Sequence, residues 1–575
     1  MFKTIQGVCM DMRKYIAALC ALCLLLFGGA ALSETEIILS DAGVQAGAGV
    51  EVDGGAVAIT QSGSYRLTGT MSEGSIFVDA DDVELVWDGA QLSCSTAAPL
   101  TARGDVVLTL AENGGSISDL RRARDMDADG AAIDAGGEVT VRGEGALTVV
   151  GQAGHGLRAA GLRVEGGALS VLAEGDGAHL TTEDGAASFA LAGGQFAAET
   201  GGRGLYVDGG ARIEAGDLRV ESDADGLYVE EALTISGGAA QLSAGGGASS
   251  STSPTASYFY EDLFGYDPFD FFFGGSYPGG YGGYGGNALE ARGCDAVSAA
   301  EIAMEDGSLV LDASGDALRA DGTLTMTGGA LSITCGGDGL RAGGDVAVSG
   351  GVIWVDECET GLSGANVSVE NAEVSIVSAD AGISALSERG GDASVLEGAK
   401  LTIAAGGDGI AAGADVYLAG GETSICCAGG SGAPLNAGGE VFADGGTLVA
   451  TGRSDASAIA EDPAQAVLRA RFNGTLREGV RVVVEDENGQ AAFSFEPEAD
   501  FSRLILTSPA LQQGATYTLY VEGEALGMAT VDGAETYFRG DFTEERDERN
   551  GRDERRDEGD GREAQPPMES GAERI

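Results

Sequence analysis

The run Gly336-Gly337-Asp338-Gly339-Leu340-Arg341-Ala342 belongs to a motif that returns along the chain at nearly fixed intervals. A tight acidic Gly turn leads into a short alternating strand, then a Gly pair, then another short strand, Val352-Ile353-Trp354-Val355. Asp316 opens the same motif 22 residues earlier and Thr360 holds it 22 residues later, with Ala381 and Asp408 following at intervals of 21 and 27. The first half carries the ladder at His155, Asp176, Arg203 and Asp225, spaced by 21, 27 and 22 residues. A period near 22 built from short strands and Gly turns predicts a β-solenoid. It fits about three strands per coil and leaves no room for a helix of about 10 residues. Leu157, Leu205, Leu227, Leu318, Leu340, Leu362, Ile383 and Ile410 follow the turns, one per coil. A single coil cannot bury its apolar face, so these residues are predicted to stack inward as one aliphatic ladder.

Glycine, at 97 of 575 residues, would by itself suggest disorder in a chain without a collagen triplet. The regular aliphatic spacing argues for a fold instead. The net charge of −57 leaves no basic patch and excludes nucleic acid as a partner. It favours cations, or neutral partners such as sugars, and it also serves plain solubility. Met12-Arg13-Lys14, the apolar run Ile16–Phe27 and Ala31-Leu32-Ser33 read as the three regions of a signal peptide over 1–33. The expectation is a bacterial protein that is secreted and extracellular, with no transmembrane anchor, since the apolar run is too short to span a bilayer. Cys94, Cys294, Cys335, Cys358, Cys426 and Cys427 lie beyond it. Cys335 and Cys358 are about one coil apart, a distance that permits a disulfide; the alternative is a pair of stacked buried thiols.

The organisation expected is a first solenoid block with an N-terminal cap over 34–246 and an aromatic, Gly-rich low-complexity loop over 247–292. A second block over 293–460, a C-terminal β cap over 461–535 and a disordered charged tail over 536–575 follow. Carboxylates on neighbouring coils would lie about 4.8 Å apart, close enough for one calcium ion to bridge them. Asp316 and Asp338 meet that spacing, Asp223 and Asp225 share a turn, and Asp176 and Asp408 hold equivalent turns. Asp127/Asp129 and Asp79/Asp81/Asp82 are further acidic clusters. Ordinary turn chemistry accounts equally well for Asp before Gly. Two residues past the turn, an outward column reads Arg158, Tyr206, Tyr228, Arg319 and Arg341. Stacked tyrosines would offer a strip to sugars and the arginines a grip on uronate carboxylates; the plainer reading is an exposed sheet face. Enzymatic signals are thin. Lys400 is the one lysine after residue 33, and His155 and His179 have no nucleophile elbow.

The coils, the N-terminal Gly63-Ser64-Tyr65-Arg66-Leu67-Thr68-Gly69 and the run from Ala499 to Leu519, with Ser508-Pro509-Ala510-Leu511 and Gly514-Ala515-Thr516-Tyr517-Thr518-Leu519, resemble one family. It is the clostridial carbohydrate-binding parallel β-helix family, related in fold to family-nine polysaccharide lyases. The resemblance spans roughly residues 40–530. It implies an all-β, right-handed parallel β-helix that is secreted, calcium-stabilised and non-catalytic, with cellulose or an acidic polysaccharide as partner. His155, Arg203, Thr360 and Ala381 replace the acid in equivalent turns, a departure from the pattern that bears on calcium. The alternatives are an adhesive cell-surface solenoid and a calcium-dependent pectate-type lyase.

Overall fold

The computed structural model describes residues 34–122, 130–183, 185–250, 294–387, 390–430 and 432–540. The segment expected as a signal peptide, the acids Asp127 and Asp129, most of the expected aromatic loop and nearly all of the expected charged tail lie outside them. Among the described residues there is no α-helix, and the chain winds into a parallel β-solenoid of about 15 turns.

Each coil supplies one strand to each of three parallel sheets. In a central coil these are Leu340–Ala342, Val346–Val348 and Val352–Glu357. They pair with Leu318–Ala320, Leu324–Met326 and Ala330–Cys335 of the coil before, in register except for a bulge between Val355 and Glu357 in the third pair. The expected aliphatic ladder is the inward column of the first sheet. Leu157, Ala178, Leu205, Leu227, Val297, Leu318, Leu340, Leu362, Ile383, Ile410 and Leu435 face one another coil by coil, all buried. Equivalent columns from the other sheets complete one continuous core. The stack runs straight across the interruption after residue 250, because Leu227–Ala244 pairs in parallel with Val297–Ala313.

The turn before the third sheet explains part of the glycine content. Gly307, Gly329, Gly351 and Gly421 hold it with φ between 72° and 103°. A side chain resists that left-handed backbone, and glycine does not. In the coil after Gly351 the left-handed position falls one residue earlier, on Asn371 with φ 46°, a residue type that tolerates it.

The C-terminal cap closes the open edge of the last coil. Phe501–Thr507 adds to Val441–Gly452 in antiparallel, and Val467–Leu476 pairs with it in turn. A separate five-stranded antiparallel sheet packs on these cap strands, and the two share a second core of Val484, Phe493, Phe501, Leu519 and neighbours. Buried Arg469 pins the cap down: it donates to the carbonyls of Ala456 and Ser457 and pairs with Glu535 at 3.1 Å. Cys335 and Cys358 are buried free thiols, so of the two readings the structure holds the stacked thiols.

Candidate functional site

The outward column of the first sheet brings together the binding residues expected from the sequence. Asp134, Arg158, His179, Tyr206, Tyr228, Ser298, Arg319 and Arg341 follow one another on consecutive coils. Their side chains are largely spent on each other. His155, His179, Tyr206 and Tyr228 form one ladder of rings with centroid separations of 4.5, 4.7 and 5.6 Å and interplanar angles of 25°, 18° and 11°. Rings stacked this way cover one another's faces and present edges to solvent. The Arg203 guanidinium lies 4.4 Å from the Tyr228 ring centre and 5.1 Å from that of Tyr206. The Tyr206 hydroxyl donates to Glu230 at 2.6 Å, and burial together with that acceptor pushes its pKa up to about 12. Arg158 is held by Asp134 at 3.0 Å.

The turn acids form a second ladder beside this column. Each carboxylate accepts the backbone N–H of the next turn: Asp225 from Asp295, Asp295 from Asp316, Asp316 from Asp338, and Asp408 from Ala433, at 2.7 to 3.0 Å. The second carboxylate oxygens meet basic or amide groups. Arg341 lies 3.6 Å from Asp338 and 3.9 Å from Asp316, Arg319 lies 3.9 Å from Asp295, and Asn436 donates to Asp408 at 2.6 Å. Asp223 is exposed. In this stack burial first, and Asp316 next, push the Asp295 carboxyl up to about 7 and that of Asp338 up to about 6. The sequence reading missed a matching ladder at the next corner, where Asn366 accepts from Asp392, Asp392 from Asp415 and Asp415 from Glu440. The acid or amide ahead of each second strand was its signal.

The outward face of the third sheet is built differently. Ser332, Trp354, Ser375, Thr402 and Ser424 follow coil by coil. Trp354 is 47% exposed, and a serine stands on either side of it in the column. Serine is too short to cover an indole, so this ring is not sealed by a ladder. The column leads into a cleft of about 420 Å³ between the last coils and the cap, lined among others by Lys400, Thr402, Ser424, Phe493, Phe495 and Glu498. Lys400 donates to Glu373, which raises the ammonium pKa and keeps it protonated. Trp354 was legible in the sequence only as a strand residue. Its signal was a bulky aromatic at an outward position with serines one coil away on each side.

Residues 53–339 match the family described as carbohydrate-binding domain-containing protein, and over that stretch the chain belongs to it. The matched stretch includes Tyr206, Tyr228 and Arg319 and ends before Trp354. No curated protein matches the chain. Among solved structures it is similar to the polysaccharide lyase-like protein from C. thermocellum, with 24% identity, a TM-score of 0.34, and coverage of 37% of this chain and 92% of that one.

Proposed function

We propose that this is a secreted, non-catalytic carbohydrate-binding protein that lays an extended polysaccharide along its third sheet, from Trp354 toward the cleft under the cap. The exposed indole of Trp354 between Ser332 and Ser375 carries this reading. An uncovered aromatic face packs on the apolar side of a pyranose ring, while hydroxyl side chains on adjoining coils meet the sugar hydroxyls. Trp354 and Ser424 are three coils apart, about 14 Å, which suits a run of several sugars. The arginines and ring edges of the first sheet form a second, more polar face. A lyase would need a base beside its uronate, and Lys400, the lysine that sequence singles out, is paired with Glu373. That supports binding without chemistry.

Calcium belongs to this reading as a stabilising ion. The stack of Asp295, Asp316 and Asp338 is the place proposed for it, because burial first and the neighbouring Asp316 next push two of its carboxyls up. Arg319 and Arg341 compete for the same outer oxygens. Saturable retention on insoluble cellulose or pectate is the test. Wild type should bind, and Trp354→Ala should weaken binding about tenfold or more. Retention that never saturates would favour an adhesive surface protein instead.

A further inference from the structure

The chain has two histidines, His155 and His179, and the fold brings them onto adjacent coils with Asp176 between them. One atom of each residue, imidazole nitrogen or carboxylate oxygen, lies within 4.8 Å of the others. His179 Nδ1 is 2.7 Å from Asp176 Oδ2, and His155 Nδ1 is 3.6 Å from the same oxygen. Side-chain exposure is 12% for His155, 12% for Asp176 and 21% for His179. We propose that His155, Asp176 and His179 form a site for one divalent transition-metal ion of the zinc class, distinct from the calcium expected at the aspartate stack.

The donor set decides the class of ion. Two imidazoles and one carboxylate suit zinc-like ions, whereas calcium takes six to eight oxygens. With metal–ligand bonds of about 2.0–2.2 Å, neighbouring ligands of a tetrahedral ion sit about 3.4 Å apart. The separations of 2.7 and 3.6 Å bracket that value, so small side-chain shifts admit the ion. Nearby positive charge is committed elsewhere. Arg158 pairs with Asp134, and Arg203 turns its guanidinium to Tyr206, Tyr228 and Asp225. The Arg203 backbone N–H donates to Asp176 Oδ1 at 2.8 Å, which leaves Oδ2 facing the two imidazoles. Gly175 leaves space beside the site, since a Cβ there would come within 3.0 Å of His155 Nδ1. On binding, the ion takes the Nδ1 lone pair of His179, and the neutral ring keeps its one proton on Nε2 instead of directing it at Asp176. The Asp176 N–H gives up the bond it now donates to His155 Nδ1 at 2.9 Å. The fourth coordination position remains open to water.

The test is a calorimetric titration of the metal-stripped full chain with Zn²⁺ near pH 7.5, in the presence of millimolar Ca²⁺. One equivalent should bind at micromolar concentrations. His155→Phe and His179→Phe keep the ring ladder but remove a ligand, and each should weaken binding at least tenfold. Retention of the same stoichiometry and affinity in both variants would overturn the proposal, as would the lack of a saturable site in wild type. Co²⁺ on the wild-type chain gives a readout that needs no variant. Visible bands of tetrahedral nitrogen and oxygen coordination are expected, and intense thiolate charge-transfer bands, placing the ion on a cysteine, would contradict it.

Discussion

On the first sheet, four aromatic rings occupy successive coils and cover one another; on the third sheet, one indole stands between two serines. Both sets of side chains point away from the core on the same kind of parallel sheet. The difference lies in what the coil before and the coil after supply. Repetition joins the rings into a ladder that stiffens the stack, and the arginines beside it are drawn toward turn acids. Interruption leaves Trp354 with half of its surface in water. In a solenoid, a repeated aromatic column serves the stack, whereas an isolated aromatic is available to a ligand.

The comparison can be broken in four ways, taken from the largest expected effect. Leu340→Ala removes one rung of the inward ladder and should cost about 3 kcal/mol in denaturant unfolding. The same change at the adjacent Arg341, which faces outward and is half exposed, should cost under about 1 kcal/mol. Equal losses would show that the two columns are not energetically distinct. Trp354→Ala should reduce polysaccharide affinity about tenfold while leaving the melting temperature nearly unchanged. A third test uses pH. The carboxyls of Asp295 and Asp338 are raised to about 7 and about 6, so the folded state holds protons there that the unfolded chain releases near its ordinary value of 3.8. Stability from these groups is full below that ordinary value and is lost as pH rises through 6 and 7. Asp295→Asn and Asp338→Asn should flatten the fall in melting temperature between pH 5 and pH 8 and add about 1 kcal/mol at the upper end. Saturating calcium should flatten the same fall in wild type if the ion sits on this stack; no shift at any calcium concentration would remove calcium from it. The smallest effect is expected at Tyr206→Ser, which breaks the ring ladder at a cost of about 1 kcal/mol and should change polysaccharide affinity less than about twofold.

Much of this architecture was legible in the sequence because a solenoid writes its period directly into the chain. Spacing alone placed Leu205, Leu227, Leu318 and Leu340 in one inward column. It passed over Ala178 and Val297, the first for its size and the second because an insertion precedes it, yet both fill rungs of the same ladder. The ring ladder was harder to see. His155 occupies the turn register and His179 the outward register, so a column-by-column reading keeps apart two rings that the fold stacks diagonally. The second corner ladder from Asn366 to Glu440 was hidden because Asn, Asp and Glu share one role there, accepting or donating a backbone N–H, without sharing a motif. The pairing of Arg341 with Asp338 depends on how side chains bend across a coil, which spacing does not encode.

The most direct measurement is a binding isotherm on insoluble polysaccharide for wild type, Trp354→Ala and Tyr228→Ala, with folding of each checked by its melting temperature. The account predicts saturable binding that Trp354→Ala weakens about tenfold and Tyr228→Ala leaves within about twofold. Loss on Tyr228→Ala with Trp354→Ala unchanged would contradict it and place the polysaccharide on the first sheet.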